Sequence, residues 1–125
     1  VVARFAANGN PLGRAVLTGG ELEPARRWYV ERNRRDSTGR RVYPLYYFAD
    51  LKVDGDRLWL LVAGGPSDPA LVVRVGSSGA AERWFRILGL SGVWRLALRP
   101  ERRELLLSSA EGAALYRVRV PEADW

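Results

Sequence analysis

The stretch Leu51-Lys52-Val53-Asp54-Gly55-Asp56-Arg57-Leu58-Trp59-Leu60 returns 45 residues later as Leu96-Ala97-Leu98-Arg99-Pro100-Glu101-Arg102-Arg103-Glu104-Leu105-Leu106-Leu107, with a turn two residues longer. Each copy reads as two strands around a turn. Asp-Gly between apolar runs is a strong hairpin signal, because glycine accepts the positive φ that a tight turn needs. Leu58-Trp59-Leu60-Leu61-Val62 is apolar at both parities, which suits a strand covered on both faces. A second repeat follows: Leu71-Val72-Val73-Arg74-Val75 returns, shifted by 44, as Leu115-Tyr116-Arg117-Val118-Arg119. Self-similarity at this period, with about four strands per unit, is what a β-propeller blade would produce.

The unit also extends toward the N-terminus. Val2-Ala3-Arg4-Phe5 with Asn8-Gly9-Asn10 matches Val72-Val73-Arg74-Val75 with Ser78-Gly79-Ala80 at an offset of 70. The surplus of 25 residues reads as an insertion at about 23–47. Labelling the strands of a unit A to D, the chain runs C-D, insertion, A-B-C-D, A-B-C: nine strands, about two and a quarter blades. The segment from Pro24 to Arg34 is the one place for a short helix. The expected fold is therefore all-β, a single partial β-propeller domain over residues 1–125.

The pattern of Leu-x-Val-x-Gly-Asp-x-Leu-Trp-Leu after a strand and a Gly-ended turn resembles bacterial six-bladed β-propellers of the NHL-like type. It is carried here by Val72 to Val75 with Gly79, then Leu96-Ala97-Leu98 and Leu105 to Leu107. The resemblance implies a rigid ring whose rim loops bind, and it leaves function to particular residues. Some propellers of this kind are lactonases or lyases with a channel metal held partly by His. The last copy lacks its fourth strand, so the expectation is the C-terminal part of a larger propeller. The alternative is a chain that closes a ring by homo-oligomerisation. Relatives by resemblance are often periplasmic or secreted.

Composition excludes whole function classes. The chain of 125 residues has no His and no Cys. Ser-His-Asp and Cys-His catalysis, zinc sites built on His or Cys, and disulfides are thereby excluded within it. No apolar run approaches a transmembrane span. Twenty basic residues against fourteen acidic ones give a net charge of +6, a bias toward anionic partners. Asp54-Gly55-Asp56 reads as a turn rather than a calcium loop, since the other ligands are missing. No cofactor and no metal site are expected.

The insertion concentrates the charge. Arg26, Arg27, Arg32, Arg34, Arg35, Arg40 and Arg41 face only Glu23, Glu31 and Asp36, leaving +4. Trp28, Tyr29, Tyr43, Tyr46 and Tyr47 are interleaved. Guanidinium groups with aromatic faces suit a phosphate-bearing, stackable ligand or an acidic protein. The plain alternative is that the aromatics anchor the loop while the arginines are solvated. The binding candidates are Trp28, Arg34, Arg35, Arg40, Arg41, Tyr43, Tyr46 and Tyr47. Asp50 and Arg95 join them, at equivalent places near the starts of the A strands, where they are expected to face one another at the channel mouth. Lys52 shares the parity of Asp50.

The resulting expectation is a binding or scaffolding module that recognises a protein or anionic ligand through rim loops. The alternatives are an enzyme whose channel-centred site lies largely in missing blades, and nucleic-acid binding through the insertion. No catalytic residue is assigned.

Overall fold

A computed structural model describes residues 2–15, 17, 19–35, 47–65, 67–109 and 114–125. The chain forms β1 (Val2–Phe5), β2 (Pro11–Ala15), α1 (Glu23–Arg35), β3 (Phe48–Asp54), β4 (Arg57–Val62), β5 (Pro69–Val75), β6 (Ala81–Ser91), β7 (Val93–Arg99), β8 (Glu104–Ser109) and β9 (Leu115–Arg119). The nine strands make three antiparallel sheets of two, four and three strands, ordered β1-β2, β3-β4-β5-β6 and β7-β8-β9. All-β is the class observed, with one α-helix among the described residues, in the insertion. No described helix is long and apolar enough to cross a membrane.

The repeats persist in the irregularities of the backbone. The register shifts between Phe48 and Asp50 in one hairpin and between Val93 and Arg95 in the other, again 45 residues apart. The offset of 70 is equally visible in the turns. Gly9 N–H donates to Ala6 O (2.9 Å) and Ala6 N–H to Asn10 O (2.8 Å). Gly79 N–H donates to Gly76 O (2.9 Å) and Gly76 N–H to Ala80 O (3.0 Å). Gly9 and Gly79 have φ of 84° and 83°, a region that costs a side chain energy and glycine none.

One register differs from the sequence reading. Leu58 pairs with Val75, and its equivalent Leu105 pairs with Val118. The shift between β5 and β9 is therefore 43, not 44, and Arg117 rather than Val118 is the counterpart of Arg74. A slip of one residue turns every side chain to the other face. It went unseen because Leu71-Val72-Val73 is apolar at both parities.

Burial follows from that double apolarity. One face of the middle sheet, with Trp59, Leu61, Ala70 and Val72, packs on Leu96, Leu105, Leu107 and Val120 of the third sheet and its continuation. The other face, with Leu60, Val62, Leu71, Val73 and Val75, packs on Leu22 and Ala25 of the insertion. Each such leucine or valine contributes about 1.5–3 kcal/mol on burial. Both sheets turn the same parity the same way: Leu58 and Leu60 face backward along the chain, as do their equivalents Leu105 and Leu107.

After β9 the chain folds back onto the middle sheet. Trp125 lies 4.7 Å from Trp59, which stacks on Phe85 at 5.5 Å. The buried Arg74 donates to Glu82 (3.1 Å), to the Asp124 carbonyl (2.7 Å) and to the Trp125 carbonyl. Arg57 also reaches the Trp125 carbonyl, at 2.9 Å.

Candidate functional site

The insertion enters through a 3-10 turn, Gly20–Leu22, and becomes helical at Glu23. Pro24 in the first turn costs no helical hydrogen bond. Glu23 in that turn complements the helix dipole. Leu22 and Ala25 are buried, and Trp28 and Tyr29 half-buried, so this side faces the middle sheet. Trp28 lies against Gly65, where a Cβ would come within 2.8 Å of its ring. Tyr47 meets Tyr29 edge-on at 6.0 Å and Phe48 at 5.4 Å. Burial pushes the Tyr47 phenol up, Arg26 pulls it down and Glu23 adds to the rise.

The opposite side of α1 carries exposed Arg26, Arg27, Val30, Glu31 and Arg32. Arg26 lies 3.6 Å from Glu23. A shallow depression of about 430 Å³ runs along Glu23, Arg26, Arg27, Val30 and Glu31. Trp28 and Tyr47, expected as ligand-facing aromatics, are each engaged in packing, Trp28 on Gly65 and Tyr47 on Tyr29 and Phe48. Arg34 and Arg35 fall on the helix backbone, and their side chains lie outside the description. Arg40, Arg41, Tyr43 and Tyr46 lie outside the described residues altogether.

Asp50 and Arg95 do not form a pair. The Asp50 carboxylate accepts from Leu51 N–H, from Lys52 Nζ and, across to the third sheet, from Leu96 N–H, each at 2.8 Å. Arg95 is exposed. The partner is the main-chain amide next to the expected guanidinium, so Asp50 staples β3 to β7. Burial alone would raise its pKa, but the Leu96 amide, Lys52 and the Leu51 amide outweigh it and hold the carboxyl below its ordinary 3.8. A depressed carboxylate stabilises the fold above the ordinary value and loses that contribution as pH falls through the native one. Asp50→Ala should cost about 1–3 kcal/mol at neutral pH by orphaning the amide of the buried Leu96. In urea titrations its deficit should shrink below pH 4, about where the carboxylate's advantage disappears. A pH-independent deficit would mean that packing, not charge, is lost.

A second cluster was not singled out by the sequence reading. Glu104, 1% exposed, is approached by Arg99 (3.6 Å), Arg117 (3.8 Å) and Arg119 (3.6 Å). Its Oε2 is buried without a hydrogen-bond partner among the described residues. The signal was present as the alternation of Arg117 and Arg119 against Val118 and Val120. Among the described residues no group of three or more carboxylates is placed to hold a metal ion. No protein-family model, curated protein or solved structure matches the chain.

Proposed function

We propose that the chain is a section of a β-propeller that works as a binding scaffold, presenting the insertion to an anionic partner surface. The observation that carries this reading is the division of α1. Ala25 packs on the middle sheet, Trp28 lies against Gly65 and Tyr29 against Tyr47, which leaves Arg26, Arg27 and Arg32 exposed on the other side of the helix. Loops on a rigid scaffold are where recognition concentrates. The propeller part of the reading is supported by sheets that repeat every 45 residues and turn the same face forward, and by the NHL-like pattern. Asp50 accepts from three donors, one of them an amide of the next sheet, which favours a structural role over a channel-centred catalytic one. Trp28 and Tyr47 are engaged in packing, which favours a protein or other polyanion over stacked bases.

The test is titration with a heparin oligosaccharide, followed by calorimetry at several salt concentrations. Wild type should bind with a steep salt dependence. Arg26→Glu with Arg27→Glu should weaken binding about tenfold or more, since charge at the contact governs such association. Equal binding by the variant would overturn the assignment of this surface.

A further inference from the structure

The segment that follows β4 carries the helix. Trp28 lies on Gly65, and the neighbouring Tyr29 meets Tyr47 edge-on at 6.0 Å. The two supports are joined to one another, because Ala63 N–H donates to Tyr47 O at 2.9 Å. Gly65 is buried and its φ lies outside the left-handed region, so the need for glycine there is one of space. A Cβ at this position would come within 2.8 Å of Trp28 Cδ1 and 3.0 Å of Asp68 Oδ2. The first distance is far inside the optimal separation of two carbons, so the helix or the loop would have to move. Asp68 holds the loop in shape from its other side. Gly65 N–H donates to Asp68 Oδ2 at 2.7 Å, and Asp68 N–H donates to Gly65 O at 3.1 Å.

We infer that Gly65 and Asp68 are positioning residues for recognition by α1, fixing through Trp28 the angle at which the helix presents Arg26, Arg27 and Arg32. The role of those three arginines rests on the function proposed above. Leu22 and Ala25 hold the start of the helix on the middle sheet, and Trp28, one turn further on, sets its direction. A helix held at its start alone pivots, and ordering it consumes part of the binding free energy. Asp68 separates position from charge. Removing a carboxylate from a surface that attracts anions tightens binding if charge alone acts. Loss of the seat weakens it.

The experiment combines heparin calorimetry at one salt concentration with hydrogen exchange read by mass spectrometry, on the full 125-residue chain. Gly65→Ala should speed exchange in α1, leave β4 and β5 as in wild type, and weaken heparin binding about threefold or more with no change of charge. Asp68→Ala should weaken binding in spite of the charge it removes, and it gives the same readouts where Gly65→Ala fails to fold. Trp28→Ala should match Gly65→Ala, and the two together should lose no more than either alone, since both act through one contact. Unaltered exchange in α1, faster exchange in every strand, tighter binding by Asp68→Ala, or additive losses would overturn the inference. Absence of heparin binding by wild type would instead overturn the function proposed above, and exchange in α1 would still decide whether Gly65 and Asp68 seat the helix.

Discussion

Trp59→Ala should destabilise the fold by about 3–5 kcal/mol, the range for truncating a fully buried large side chain. Trp59 has no exposed surface and sits where three parts of the chain meet. Phe85 of its own sheet stacks on one side at 5.5 Å, and Trp125, arriving after the third sheet, lies 4.7 Å away. Removing the indole leaves a cavity between the two sheets, and close-packed interiors relax into such space only in part. Against a net stability of about 5–15 kcal/mol for an ordinary domain, the loss would move the urea midpoint far. Trp59→Phe should cost much less. The indole Nε1 is buried without a partner among the described residues, and an unpaired buried donor costs about 1–3 kcal/mol. Phenylalanine keeps an aromatic plane in the stack and sheds that penalty. Equal losses for alanine and phenylalanine would mean that the stack does not hold the sheets together.

The repeat was legible because turns and apolar parity both recorded it. Asp54-Gly55 marked one hairpin, and Gly9 and Gly79 marked the same turn 70 residues apart. Where parity was silent, the reading slipped. Leu71 to Val73 could face either way, so β9 was matched one residue off, and Arg117 lost its correspondence with Arg74. The candidate site was legible as charge but not as direction. Trp28 and Tyr47 looked like ligand-stacking residues beside arginines, yet helical spacing with Leu22 and Ala25 sets Trp28 on the apolar side of α1, and Tyr47 packs with it through Tyr29. Asp50 was correctly set at the start of β3, but its partner is an amide, and sequence carries no label for which amides a β-bulge leaves free. Glu104 gave no signal of burial, because carboxylates are ordinarily solvated.

Arg74→Ala should cost about 2–4 kcal/mol, the sum of a few hydrogen bonds to a charged donor less the solvation its acceptors regain. The guanidinium is buried and serves Glu82, the Asp124 carbonyl and the Trp125 carbonyl, while lying 5.9 Å from the Trp59 ring centre. Its planar fork spans acceptors on β6 and on the returning chain at once, which a lysine ammonium at the end of a flexible stem does poorly. Arg74→Lys should therefore recover only part of the loss. Arg74→Met keeps the aliphatic stem against Trp59 and removes every donor, so it isolates the hydrogen bonds from the packing. Near-ultraviolet circular dichroism reads the Trp59–Trp125 contact directly, and its signal should fall in the alanine and methionine variants before global unfolding. A methionine variant as stable as wild type, with the signal intact, would mean that the donors contribute nothing net, as happens for some buried ionic groups. The same substitution at the equivalent position, Arg117→Ala, should change stability by no more than about 0.5 kcal/mol, as for an ordinary surface site. Two arginines at one register of a repeated sheet would then differ only in whether a fourth strand and a returning chain segment cover them. In that case the cost at Arg74 measures the cover, and the near-silence at Arg117 measures its absence.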